Sequence, residues 1–123
     1  MKPTDSELEI LRVLWKYGPS TVRFVNEKLN EHREVGYTTT LKIMQIMIAK
    51  GMVEREMDGR THIYSTITDM EVTQGQLVDK LMHTAFEGSA QKLIMHALGN
   101  HNSSKEELDE IKKLIIKLEE EQK

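Results

Sequence analysis

The sequence contains no cysteine and no apolar stretch long enough to cross a membrane. The missing thiols exclude a disulfide framework, thiol redox chemistry and cysteine-ligated metal sites. The N-terminal segment MKPTDSELEI also has no signal-peptide core. We therefore expect a cytoplasmic protein, whose 123 residues form one small domain with an appendage or two very small units.

The sequence also has no excess of positive charge, since 17 basic residues face 20 acidic residues. Residues 1–70 carry ten of each sign, whereas residues 71–123 carry seven basic and ten acidic side chains. The first part is therefore neutral and the second part is acidic. Any binding to nucleic acid must depend on a local basic patch and not on the overall field of the protein.

Catalytic and cofactor-binding motifs are also missing. There is no glycine-rich nucleotide loop, no HExxH pattern and no nucleophile elbow around a serine. Asp79 and His83 have the i, i+4 spacing of two metal ligands, but no cluster of further ligands supports them, and a structural or solvated role is favoured. We expect a protein that is not an enzyme and that has neither a metal nor a cofactor.

The first part of the chain predicts three helices, each bounded by residues typical of a helix start or stop. The first helix starts with a capping box of Thr4 and Glu7 and is stopped by Gly18-Pro19. Ser20 or Thr21 caps the start of the second helix, and the third starts at Thr38 and is ended by Gly51. Apolar residues at helical spacing predict which faces are buried. They are Leu8, Leu11, Leu14 and Trp15 in the first helix, and Val22, Val25 and Leu29 in the second.

Two β-type stretches, residues 52–57 and 61–67, follow the third helix and are joined by Asp58-Gly59, a strong hairpin signal. The order of three helices and a hairpin is that of a winged helix-turn-helix. In that fold one helix enters the DNA major groove and the hairpin touches the backbone beside it. We expect residues 1–70 to form this DNA-binding domain, within a fold that is mainly α with a small β-hairpin.

The third predicted helix has two different faces. Its apolar side carries Thr40, Leu41, Met44, Met47 and Ile48. The other side carries short hydroxyls, an amide and cations, with Ile46 close by: Thr38, Thr39, Lys42, Gln45, Ala49 and Lys50. Such groups can bond base edges and phosphates. An ordinary solvated face is the alternative, but a hairpin that carries Arg55 and Arg60 favours the DNA groove.

Residues 71–123 predict three short helices, at 71–86, at 90–98 and from Ser103 or Ser104 onward, with turns at Gly88-Ser89 and residues 99–102. The last helix carries an apolar seam with the spacing of a coiled coil: Leu108, Ile111, Ile115 and Leu118. Pairing two copies would bury this seam, so we expect a helical dimerisation domain and a homodimer. The alternative is that these helices fold back on their own winged helix.

The chain resembles the penicillinase-repressor (BlaI/MecI) family of winged-helix transcriptional regulators over nearly its whole length. The resemblance lies in Thr4–Val22 (TDSELEILRVLWKYGPSTV), in Gly36–Ile67 (GYTTTLKIMQIMIAKGMVEREMDGRTHIYSTI) and in the spacing of the C-terminal helices. It implies a homodimeric repressor that binds a palindromic operator in double-stranded DNA. The recognition-helix positions that it carries over are Thr38, Thr39, Lys42, Gln45 and Ile46.

The resemblance also implies release from DNA by proteolysis, downstream of a membrane-embedded sensor protease. The matching cleavage site lies near His96-Ala97, in the short helix at residues 90–98. The chain departs from its relatives in three places: they carry basic residues at the positions of Leu41 and Ile46, and a larger aromatic residue at that of Ala97. The residues themselves are equally consistent with a plain core helix here.

Two other functions stay open from the residues. Winged helices also bind proteins, so the chain could be a protein-interaction module. It could also be a dimeric repressor that releases DNA when a small inducer binds between the winged helix and the tail.

Overall fold

A computed structural model describes residues 2–123 of the chain. Three helices come first, a two-stranded antiparallel hairpin follows, and three more helices complete the chain. In order they are α1 (Asp5–Tyr17), α2 (Val22–Asn30), α3 (Tyr37–Ala49), β1 (Val53–Asp58), β2 (Thr61–Thr66), α4 (Met70–Ala85), α5 (Ala90–Asn100) and α6 (Lys105–Glu121). The predicted fold class, mainly α with a small hairpin, is confirmed. No helix in this part of the chain is both long and apolar enough to cross a membrane.

The starts of α1, α2 and α6 follow the capping signals in the sequence, whereas α3 begins at Tyr37 after Gly36 and not at the predicted Thr38. The hydroxyl of Thr4 accepts a hydrogen bond from the Glu7 N–H at 3.2 Å, and the Glu7 carboxylate accepts one from the Thr4 N–H at 2.9 Å. Thr21, and not Ser20, caps α2 by accepting from the N–H of Phe24. Ser104 caps α6 in the same reciprocal way as Thr4 caps α1. Each side chain satisfies an N–H group that has no partner within its helix.

The turn of the hairpin differs by one residue from the prediction. Asp58 pairs with Thr61 at the end of the ladder, so the two loop residues are Gly59 and Arg60 and not Asp58-Gly59. Gly59 has a φ of +67°, and Arg60 does not have a positive φ. A glycine with positive φ at the first loop position is typical of a type II′ turn. Arg60 therefore lies at the tip of the hairpin.

The buried face of α1 is rotated slightly from the predicted one. Ile10, Leu11 and Leu14 are buried, whereas Leu8 and Trp15 are only half-buried, and of these two Trp15 packs against the core. The prediction missed Ile10 because it followed the leucines and the tryptophan. The core of this region combines α1, α2, α3 and the hairpin, and its largest fully buried side chains include Met44, Met47 and Tyr64.

The chain divides into two compact units, Met1–Val78 and Asp79–Lys123. The division falls inside α4, whereas the sequence places the domain boundary at the start of that helix. In the second unit α5 continues through Asn100, so the prediction of a turn at Gly99-Asn100 was wrong. A single glycine weakens a helix without ending it when its backbone stays helical. The turn begins instead at His101.

Candidate nucleic-acid interface

The exposed side of α3 carries all five residues that the sequence assigns to base or phosphate contact. Thr40, Met44 and Met47 are buried on the opposite side. The exposed residues are Thr38, Thr39, Lys42, Gln45 and Ile46. One helix therefore anchors itself in the core with one face and presents a hydroxyl, cation and amide surface with the other.

The N-terminus of α3 is open to a ligand. Its N-cap is Gly36, and no side chain caps its first N–H groups, in contrast to α1, α2 and α6. Free N–H groups and the positive end of the helix dipole suit a phosphate oxygen. The hydroxyls of Thr38 and Thr39 lie in this first turn. The same end of the helix thus offers backbone and side-chain donors together.

Two asparagines that the sequence analysis missed hold the turn between α2 and α3. The Asn26 amide donates to the Val35 carbonyl at 3.0 Å and to the Thr40 hydroxyl at 2.9 Å. Asn30 accepts from the Val35 N–H at 3.1 Å and donates to its carbonyl at 2.8 Å. The only signal in the sequence was the i, i+4 spacing of the two asparagines before a polar loop. These bonds set the direction in which α3 leaves the turn.

An ion pair ties the end of α3 to the start of α1. Lys50 Nζ lies 2.8 Å from Glu7 Oε2, and Glu7 is only 3% exposed. The sequence analysis placed Lys50 on the polar side of α3 with Lys42 and Gln45, but Lys50 is only half-exposed and its ammonium is bound by Glu7. Burial raises the pKa of Glu7, but its bonds with Lys50 and the Thr4 N–H outweigh burial, so the pKa lies below its usual value.

We expect the Glu7→Gln variant to be less stable than the wild type by about 1–2 kcal/mol at pH 7, since a charged hydrogen bond is lost beside partly exposed Lys50. Because folding lowers the pKa of Glu7, its contribution is present above the ordinary carboxyl pKa and is lost as pH falls through the folded value. Urea unfolding at pH 7 and at about pH 3 measures the difference. Glu34→Gln, at an exposed carboxylate, is the control. A pH-independent difference between Glu7→Gln and the wild type would contradict this assignment.

The hairpin is anchored at its base by a bridge that the sequence did not reveal. Ser20, in the loop between α1 and α2, and Tyr64, in β2, exchange two backbone hydrogen bonds of 2.9 and 2.8 Å. The Tyr64 side chain is fully buried. A bridge of one residue has no sequence pattern, because strand periodicity needs several residues to be visible.

The two hairpin arginines remain accessible above this anchored base. Arg55 is exposed, and its guanidinium donates to the Tyr64 hydroxyl at 3.3 Å. Arg60 is exposed at the turn and forms no ion pair with any residue between 2 and 123. The strand alternation places Glu54 and Glu56 on the face opposite Arg55. The hairpin, which is the wing of the winged helix, can therefore present positive charge on one side and at its tip.

The remaining predicted residues lie in the second unit. His96 and Ala97 are exposed within α5, and the His96 ring lies 5.5 Å from the Phe86 ring. The α6 seam residues Leu108, Ile115 and Leu118 are 39–49% exposed, and Ile111 is half-buried. Asp79 and His83 belong to no group of three potential metal ligands in the part of the chain that the structure describes.

Residues 3–117 match the family model described as "Penicillinase repressor". A relative in Mycobacterium tuberculosis, named "Transcriptional regulator BlaI", is 30% identical over 117 residues, which cover 94% of this chain and 83% of the relative. The "Penicillinase repressor" of Bacillus licheniformis is 22% identical over 116 residues, which cover 91% of this chain and 88% of the relative. Both names describe regulators of transcription and not enzymes.

Solved structures support the fold. A MarR family protein from Bacillus stearothermophilus matches with a TM-score of 0.58 and 20% identity, over 99% of this chain and 76% of that chain. A cysteine-to-serine mutant of ZitR from Lactococcus lactis matches with a TM-score of 0.51 and 22% identity, over 100% of this chain and 77% of that chain. At these identities the match concerns the fold alone, which is a winged helix followed by helices. From the family model and the relatives, we conclude that this chain belongs to the penicillinase repressor family of transcriptional regulators.

Proposed function

We propose that the protein is a homodimeric repressor that binds a palindromic operator with α3 in the major groove and the hairpin on the adjacent backbone. One observation carries the proposal: the exposed face of α3 joins Lys42 and Gln45 to an uncapped helix N-terminus. Glutamine can bond an adenine edge, and lysine a guanine edge or a phosphate. The anchored wing adds Arg55 and Arg60 for the phosphates.

The second unit supports the homodimer. No residue between 79 and 123 is buried, although α4, α5 and α6 all carry large apolar side chains there. Those exposed by 45% or more are Leu81, Ile94, Met95, Leu114, Ile115, Ile116 and Leu118. Such a unit has too little core of its own, and so many exposed large apolar side chains in one short unit support an interface. A second copy presents the same seam and would bury both.

The proposal is tested by a mobility-shift assay with DNA taken from upstream of the gene itself. We expect binding to this fragment in preference to a scrambled one, with half-sites about one or two helical turns apart. The Arg60→Ala variant should weaken binding to both fragments alike and reduce the salt slope by about 1, as the loss of one phosphate contact predicts. Lys80→Ala, at an exposed lysine on α4, is the charge-matched control. A fragment that binds no better than the scrambled one would favour a protein-interaction module.

We further propose that cleavage in α5, near His96-Ala97, releases the repressor from DNA. The proposal derives from the family, and it is supported by the exposure of both residues and by their position before α6. A cut there would separate the α6 seam from the winged helix. The two winged helices of the dimer would no longer be linked. Each would then bind its half-site alone and lose the gain in effective concentration that linkage provides.

When cells receive a cell-wall antibiotic, we expect the band of the full-length repressor on an immunoblot to lose intensity. A fragment ending near His96 should appear at the same time. Mass spectrometry of the fragment locates the cut. An antibiotic that acts on ribosomes is the control, and it should leave the band intact. Target transcripts that rise while the full-length protein persists would reject proteolytic release and favour a small-molecule inducer.

A further inference from the structure

An open groove of about 680 Å³ lies within the first unit, on the side of α1 that faces the end of α2 and the start of α4. Its volume falls in the range of about 300–1,000 Å³ that is typical of small-molecule sites. Most of its wall is apolar. The apolar side chains are Leu8, Val13, Trp15, Leu29, Met70 and Leu77. Neither operator binding nor dimerisation, as proposed above, uses this groove.

Trp15 gives the groove a rigid apolar wall. Its indole N–H donates to the Thr68 carbonyl at 3.0 Å, so its polar atom is already satisfied by the protein. The ring is only half-buried and lines the groove. Met70, Gln74 and Leu77, which lie on one face of α4, also line the groove. A ligand here would touch the helix that continues into the second unit.

The carboxylates that line the groove are already neutralised. Glu9 accepts three hydrogen bonds from the Arg33 guanidinium, with the closest atoms 2.8 Å apart, and this pair lowers the pKa of Glu9. Glu31 pairs with Lys28 at 3.4 Å. Within residues 2–123, neither acid forms a salt bridge with another basic group of the groove. The charge of Arg12 adds only a smaller, longer-range contribution to the lowered pKa of Glu9.

Arg12 and Lys16 carry the positive charge that remains. They are one turn apart on α1, both are exposed, and both line the groove. Neither lies within 4.0 Å of a carboxylate anywhere in residues 2–123. An apolar wall beside two cations that have no salt-bridge partner matches a ligand with an apolar body and an anionic group. A guanidinium also binds a carboxylate in a bidentate manner.

We propose that this groove binds a small organic carboxylate with an apolar ring or cage. The carboxylate pairs with Arg12 and Lys16, and the apolar part packs against Trp15 and Leu77. The site goes beyond operator binding and does not depend on it.

Trp15 is the single tryptophan of the chain, so its fluorescence reports directly on the groove. The probes are adamantane-1-carboxylate and its uncharged amide, neither of which absorbs at the excitation wavelength. Titrated into the full-length protein without DNA, the carboxylate should change the Trp15 emission saturably. The amide should bind about fivefold more weakly, because two partly solvated charge pairs are missing. Added salt should reduce this preference.

The Arg12→Gln, Lys16→Gln double variant should bind the acid and the amide equally. Both side chains are exposed, so the variant should fold. The control is Lys2→Gln with Arg23→Gln, which removes the same charge from the same unit away from the groove. It should keep the wild-type preference.

Three results would overturn the proposal. The first is an acid-to-amide ratio near one in the wild type. The second is a ratio that the double variant leaves unchanged. The third is binding that occurs only after the dimer has been dissociated, which would make the groove a contact between copies. Since no DNA is present, a failure of operator binding would not affect the outcome.

Discussion

We expect the Ile111→Asp, Ile115→Asp variant to sediment as a monomer at concentrations of tens of micromolar, at which the wild type is a dimer. Each substitution places a carboxylate in the α6 seam, where a paired helix would desolvate it without a partner. Burying an unpaired charge costs several kcal/mol, and the symmetric interface contains each substitution twice. The two α6 helices therefore cannot pair through this seam.

The same variant should lose operator affinity on the order of a hundredfold or more, since two linked half-site contacts become independent ones. Far- and near-ultraviolet circular dichroism would show whether the first unit, which contains Trp15, remains folded. Asn102→Asp with Gln122→Asp adds the same charge at exposed positions beside α6 and should stay dimeric. A wild type that is monomeric at these concentrations would refute the dimer outright.

The second large effect is expected on the exposed face of α3. Replacing Gln45 or Lys42 with alanine should reduce operator affinity by about 1–3 kcal/mol each, which is the discrimination that a good base contact supplies. Binding to a scrambled fragment should change far less for Gln45→Ala than for Lys42→Ala, because an amide contributes no charge to phosphate binding. Titrations of both fragments at fixed salt separate the two effects.

Gln76→Ala and Lys80→Ala remove the same amide and the same charge from an exposed face of α4, and they should leave operator affinity unchanged. If Gln45→Ala and Arg60→Ala both bind the operator as the wild type does, the proposed docking through α3 and the wing is wrong. Thermal unfolding of each variant shows whether the fold is kept, which we expect because both side chains are exposed.

The exposed face of α3 could be predicted from the sequence because helix periodicity acts over a few residues. Thr40, Met44 and Met47 recur at helical spacing and are buried on one side of α3. Lys42 and Gln45 therefore lie on the other side, which is exposed. At Lys50 periodicity placed a cation on the polar side of the helix but gave no sign of its partner. A buried carboxylate 43 residues earlier in the chain binds that cation. No local pattern distinguishes a lysine that faces solvent from one that reaches across to another helix.

Local signals in the sequence were sufficient to establish the order of the elements, the capping residues Thr4 and Ser104 and the glycine that turns the hairpin. These signals act between residues at most four apart, so they hold without knowledge of the fold. Only the tertiary structure shows the contacts between residues that are distant in the sequence. These are the Ser20–Tyr64 bridge, the hydrogen bond from Asn26 to Thr40, and the groove beside Trp15. Such contacts depend on how helices and strands pack together, and packing joins residues whose separation along the chain follows no period.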